Sequence, residues 1–525
     1  MSIAHCLLFF HRSENEGMLE TASQIYARLS QVAQPWVKET ALYMAARTLL
    51  NAAQHNAFDE MGYPSNENAD KTQLAEAKSA FQTYLSAYPS GTYQHSATGL
   101  LRRIDWLAGD ETSLANDYAQ QMKLASIDHA TDDESLIQEI DNKLLMSLSD
   151  MNHIHDPILL ASVDLMRMRH RYDYDAKPVF TLAQLEAQAP EFEGQPVLFR
   201  YLKAAYAFYV DKDASQTLKV LQDDTKDILP KNPDYLQFSM YSLKGFALEN
   251  AGESEQAAAL WQIMLKQMLN PLQHQQVELA LAMNYERDQK LNDVFAVNSP
   301  IKTSMIRQIL LRNIAGADLL RQQIKKPLSS QERDVALFTL LYKDLYLGQY
   351  DAYLQDIALL PETPDTKPLY MGYAYSQQTL ALFRWSGEKK QEYQCPALTE
   401  LVQTLKHKPN EPKALNCLGD FVLRNGLDDF PLNKQPDQNE LGGTTSLFSG
   451  KPFSRLAAYQ QVIVDKSAPH TEQAYALFRA INCFARSGNH CDEQDIPVEQ
   501  RKQWFQSLKS RYKDTPWGQS QKYYW

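Results

Sequence analysis

Three groups of residues in this chain have types and spacings that could do chemistry. The first is cysteine. There are five, Cys6, Cys395, Cys417, Cys483 and Cys491. Cys483 and Cys491 bracket the turn FARSGNH, so a helix ending at Ser487-Gly488-Asn489 would let the chain fold back. A return of this length brings two Cα atoms within the roughly 4.4–6.8 Å that a disulfide needs. Cys395 and Cys417 are also close in sequence. Bridges would place the chain in an oxidising compartment; unpaired, these are buried thiols of a reducing one. Nothing here has the CxxC spacing of a zinc ribbon or finger. The second group is His153-Ile154-His155-Asp156, two imidazoles and a carboxylate. A metal needs a third or fourth ligand, for which only His170 and Asp173 offer themselves; otherwise these are surface-loop histidines. The third is the stretch Gly442-Gly443 to Gly450-Lys451-Pro452. A phosphate loop needs four residues between its glycines and Ser or Thr after the lysine, and Pro452 rules that out.

No G-x-S-x-G, H-E-x-x-H or paired Ser/Lys motif is present. The Asp and Glu residues could supply an acid pair, but helix-face carboxylates are normally solvated. The chain is therefore read as a non-enzyme, with no cofactor and no metal. Its net charge of −12 argues against a nucleic-acid partner, whose phosphates demand a basic footprint. No apolar run reaches the roughly 18 residues of a membrane span. Residues 3–10 are apolar, but too short and too poor in basic and small flanking residues for a signal peptide. They read as the first helix of a repeat, with 18–32 as the second. A chain opening inside a repeat leaves two readings: a natural start, or a piece of a longer precursor. In the second, the preceding segment could carry export information or a membrane attachment.

The elements that must position these groups read as helices throughout. Only 19 of 525 residues are glycine and 44% are hydrophobic, a helix-favouring balance, and no run alternates as a strand would. The organising stretch is residues 77–101, AKSAFQTYLSAYPSGTYQHSATGLL. Ala77, Phe81, Tyr84 and Leu85 share a helix face, Tyr88-Pro89-Ser90-Gly91 stops that helix, and Thr92 is the expected N-cap of the next. The phrase returns at residues 505–521, with Phe81/Phe505, Gln82/Gln506, Ser86/Ser510, Tyr88/Tyr512 and Ser96/Ser520 matched and Tyr93 facing Trp517. Such recurrence is the mark of a repeat protein. Further helices are expected at 235–249, 253–269, 272–285, 303–323, 331–348 and 370–385, among others. Residues 427–452, rich in Asp, Asn, Gln, Pro and Gly, are the expected long functional or flexible loop.

These residues resemble those of tetratricopeptide-repeat (TPR) proteins, whose 34-residue helix pair carries an A-x3-F…P pattern. Ala77, Phe81 and Pro89 match that pattern, and Gly99 falls at the small position of the next unit. Tyr241, Gly245, Ala257 and Trp261 match another unit, with Pro271 two places late. The wording is also similar to repeats of TPR proteins of the bacterial cell envelope. The resemblance covers about a third of the chain and implies an all-α, TPR-like α-solenoid of antiparallel helix pairs. The expected divisions are residues 1–130, 131–290 and 291–525, the last with the loop near 427–452. The implied function is a scaffold that binds a protein or peptide partner, periplasmic or outer-membrane-associated. The implied groove carries Tyr93, Ser96, Leu100 and Arg103, then Ser242, Phe246 and Glu249, unless neighbouring repeats cover it. A cell-wall enzyme on a helical superhelix and a cytoplasmic TPR regulator are the alternatives.

Overall fold

The computed structural model describes residues 19–127, 133–145, 153–169, 180–225, 229–369, 378–387, 389–390, 393–428, 430–485, 491 and 496–525. Cys6, His170, Asp173, the 3–10 segment and the turn at Ser487-Gly488-Asn489 lie outside these residues. The described residues form 24 α-helices. Their β structure is confined to a ladder pairing Lys389 with Gln394 and Lys390 with Tyr393, and one bridge between Phe58 and Pro64. Among them no helix is long and apolar enough to cross a membrane. The chain divides into two compact units, residues 1–251 and 252–525. The expected limits at 130 and 290 fall within these units.

The first unit contains α1 (Leu19–Leu29), α2 (Pro35–Ala53), α3 (Lys71–Ala87), α4 (Gln94–Ala108), α5 (Glu111–Ile127), α6 (Asp133–Ile140), α7 (Pro157–Arg169), α8 (Leu182–Ala187), α9 (Pro196–Tyr209), α10 (Ala214–Leu221) and α11 (Tyr235–Asn250). Local chemistry sets the boundaries. Asp70 caps α3 by accepting the Thr72 and Gln73 amides, and Asp234 and Gln237 form a capping box on α11. Small residues then let helices approach: Ala41, Ala46, Ala77 and Ala97 are buried where α2, α3 and α4 meet, and Phe81 and Tyr84 fill the space between. Packing runs in chain order, α1 on α2, α2 on α3, α3 on α4 and α4 on α5, then through α7 and α9 to α10 and α11.

The second unit contains α12 (Ser254–Met264), α13 (Pro271–Arg287), α14 (Leu291–Val294), α15 (Ser304–Asn313), α16 (Ala317–Lys325), α17 (Ser330–Tyr346), α18 (Tyr350–Asp356), α19 (Leu398–His407), α20 (Pro412–Arg424), α21 (Arg455–Val464), α22 (His470–Asn482), α23 (Val498–Arg511) and α24 (Pro516–Ser520). Here α13 packs on α15 and α15 on α17, and the series continues from α17 through α24. Both disulfides form, Cys395–Cys417 with Cα atoms 5.5 Å apart and Cys483–Cys491 at 5.3 Å.

Four local expectations change. Tyr93, not Thr92, precedes α4, without a side-chain cap; the Thr92 amide instead donates to Glu39 Oε1. Residues 303–323 are two helices, because the chain leaves the helical region at Gly316, the N-cap of α16. Pro271 does not end a helix but starts α13 at its first position, where its missing N–H costs nothing. The described part of 370–385 is a short 3-10 turn, Leu380–Arg384, rather than an α-helix.

Candidate functional site

The residues expected to line a groove fall on α4, with Tyr93 immediately before it, and on α11 of the first unit. On α4 they meet α2. The Tyr93 ring stacks on Tyr43, with centroids 4.4 Å apart and planes 6° from parallel. The Tyr93 and Thr40 hydroxyls lie 3.2 Å apart, and those of Ser96 and Tyr43 2.6 Å. Arg103 Nε donates to Gln54 Oε1 at 2.8 Å, and its guanidinium lies 5.4 Å from the Phe58 ring centre. Desolvation lowers the Arg103 pKa. Ser96 keeps an exposed side; Tyr93, Leu100 and Arg103 are half-buried. On α11, Phe246 and Glu249 are half-buried. Ser242 is only 5% exposed, so its hydroxyl is not presented to a partner in this conformation. The two sets are separated in the packing order by α5, α7 and α9.

A second site, not anticipated in its geometry, lies in the second unit, where residues 427–452 were expected to be a long functional or flexible loop. They form a strap laid across the C-terminal ends of α13, α15 and α17. The last four carbonyls of a helix lack intrahelical partners. The strap supplies donors to this edge. Leu447 N–H donates to Ile314 O at 2.9 Å and Phe453 N–H to Tyr346 O at 2.8 Å. Glu286, in the last turn of α13 and 5% exposed, accepts the Gly442 amide at 2.8 Å, the Thr444 amide at 2.9 Å and the Thr444 hydroxyl at 2.8 Å. Lys343 is buried under the strap, donating to Asn313 O and Ser446 Oγ at 3.2 and 3.4 Å, with Phe448 over its ammonium. That burial lowers its pKa to about 8.

No protein-family model matches the chain, and no curated protein matches it significantly.

The glycine-rich stretch therefore acquires a physical role without a phosphate. Gly442 has φ +85°, and a Cβ there would lie 2.6 Å from Asn313 Nδ2. Gly450 has φ +140°, and a Cβ there would strike the Leu347 carbonyl. The glycines let the backbone reach helix ends that a side chain would hold away.

The histidine cluster is engaged in local structure. His153 Nδ1 lies 2.9 Å from Thr112 Oγ1 and its Nε2 3.6 Å from Glu111. Asp156 accepts the Ile158 and Leu159 amides at the start of α7 and pairs with Lys123. Among the described residues no three His, Cys, Asp or Glu side chains converge as a metal site. Among the carboxylates that do converge are Asp105 and Asp110, which share Lys78, and Asp344 and Asp356. Asp344 is fully buried, and Asp356 is clamped by Arg321 at 2.8 Å. Burial, then the adjacent Asp356, raises the Asp344 pKa to about 8.

Glu286 and Lys343 are the residues that reading the sequence missed. Each sits in an otherwise ordinary amphipathic stretch, Asn284-Tyr285-Glu286-Arg287 and Tyr342-Lys343-Asp344. Their burial is the signal, and it comes from helix packing together with the strap above them.

Proposed function

We propose that this chain is a non-enzymatic, TPR-like helical-repeat scaffold that docks an extended segment of a protein partner, outside the cytoplasm in a bacterial cell envelope. The observation that carries the reading is the edge formed by Glu286, Ile314 and Tyr346, which holds an irregular stretch of chain largely through main-chain N–H groups. Affinity from main-chain hydrogen bonds, with selectivity left to a few side chains, is how peptide-docking surfaces work. Two further observations support it. Helices pack chiefly on near neighbours in chain order, as stacked repeats do. The alanines and aromatics of the repeat pattern, Ala77, Phe81, Ala257 and Trp261, are all buried. The location is supported by two disulfides, which persist in oxidising compartments and are rare in a reducing cytosol.

The test is photo-crosslinking in bacterial cells exporting the chain, with the photoreactive residue at Ser96 or Phe246. The scaffold reading expects the same discrete protein adduct from both positions and none from the exposed Val297. Adducts indistinguishable from those at Val297 would reject a partner-binding face on the first unit.

A further inference from the structure

The strap is bound to the second unit in an unusual way. A loop that simply completes a core buries its apolar side chains. Here Leu441 is buried and Phe453 packs on the core, but Leu447 between them is bonded through its amide to Ile314 and is 62% exposed. Thr445, Ser449 and Gly450 are exposed too. What the edge recognises is a backbone: successive N–H donors, a threonine hydroxyl, and glycines that permit close approach. The edge is chiefly an acceptor surface, a carboxylate followed by the carbonyl-bearing ends of two helices, with Lys343 and Gln349 donating to Ser446 Oγ and Ser449 O. The strap also covers Lys343 at a cost, because this buried ammonium forms no ion pair among the described residues. Lifting the strap would return it to water. The ends of the strap are anchored separately. Asp428 is paired with Arg455, and Phe430 is buried against Phe338 and Tyr342. The middle can therefore leave without its attachments unfolding.

We infer that the edge formed by Glu286, Ile314 and Tyr346 is a docking site for an extended Gly/Ser/Thr-rich segment of a partner protein, and that residues 441–453 are its resident occupant, displaced when that segment arrives. This rests on reading the chain as a peptide-docking scaffold. The partner segment should offer two N–H donors and a hydroxyl to Glu286 and, a few residues on, an aromatic ring over Lys343. The strap's own sequence, LGGTTSLFSGKPF, is the simplest ligand with those features.

The experiment adds that peptide, end-capped and fluorescently labelled, to three forms of the full chain. The wild type carries the competing strap. Gly442→Ala/Gly450→Ala pushes the strap off by steric clash while leaving the edge intact. Gly316→Cys/Leu447→Cys locks it down: a Cβ built on Gly316 lies 3.4 Å from the Leu447 Cβ, close to the separation in disulfides. Acylation of Lys343, read by mass spectrometry, reports strap release independently. The expected result is at least tenfold tighter peptide binding to the double-alanine form than to the wild type. Lys343 should acylate faster in that form, and the locked form should bind no peptide. Two results would overturn the inference: Lys343 equally protected in the wild-type and double-alanine forms, making the strap a fixed part of the fold, or a released strap with no peptide bound. Partner adducts at Ser96 without peptide uptake here would reject this site and leave the scaffold reading resting on the stacked helices and the first-unit face alone. Peptide uptake without those adducts would support this site while the first-unit face fails.

Discussion

Arg455 and Asp428, 27 positions apart in the chain, meet in a two-pronged ion pair, Nε to Oδ1 and Nη2 to Oδ2 each at 2.6 Å. The pair closes the base of the strap, and Arg455 is 2% exposed. Its planar fork matches the carboxylate in a way lysine cannot. The glycine-rich middle of the strap then reaches the helix ends from a fixed starting point.

Arg455→Met should destabilise the second unit by about 3 kcal/mol, because removing one partner of a buried pair leaves the other charge uncompensated. Arg455→Met/Asp428→Asn should recover part of the loss. The check is the urea midpoint, and equal midpoints for wild type and the single variant would mean that the pair does not secure the strap.

Asp344 should make stability depend on pH in the sense opposite to most carboxylates. Burial, and then the neighbouring Asp356, raises its pKa to about 8, while Arg321 pulls it down. Between about pH 4 and 8 the folded chain retains a proton that the unfolded chain has released. Its contribution to stability is therefore complete below about pH 4 and is lost as pH rises through 8. Asp344→Asn keeps the shape without the charge. It should raise stability at pH 8.5 by on the order of 3 kcal/mol relative to wild type, and by less at pH 5. Denaturant titrations at the two pH values measure this; an equal effect at both would place the titration elsewhere.

Ala257→Trp should lower the melting temperature. Ala257 is fully buried in α12, where an indole has no room, and overpacking costs about 1–3 kcal/mol or more. An unchanged melting curve would show that the neighbouring helices part freely.

The two disulfides should differ in what they stabilise. Cys395–Cys417 spans 22 positions and Cys483–Cys491 spans 8. In the chain-entropy account, replacing both cysteines with serine should cost about 3 kcal/mol for the first bridge and slightly less, about 2.5 kcal/mol, for the second. Peptide mapping without reduction, on protein made by an oxidising export route, should recover each pair as a linked species. Free thiols at all four positions would remove the main support for an extracytoplasmic location.

Much of the helical architecture was legible because its causes are local. The face shared by Ala77, Phe81 and Tyr84 and the stop at Tyr88-Pro89 depend on residues a few positions apart, as do the matching helix ends at Tyr88 and Tyr512. The Cys483–Cys491 pairing followed from a short return of the chain, and the structure forms it. The sequence alone left Tyr93, Ser96 and Arg103 as groove residues or residues covered by a neighbouring repeat and could not choose, because Tyr43 and Gln54 reach them only after three helices pack. Residues 427–452 show the limit most plainly. By composition they lack a core of their own, and their local turns, Asn433 on Leu427 and Asp428 and Gly443 on Glu440, do not say where they lie. Their order comes from Glu286, 156 positions before Gly442, and from helix-end carbonyls exposed only when α13, α15 and α17 lie side by side. Unpaired acceptors are a property of how helices end in space, so where the strap lies was decided by the tertiary structure alone.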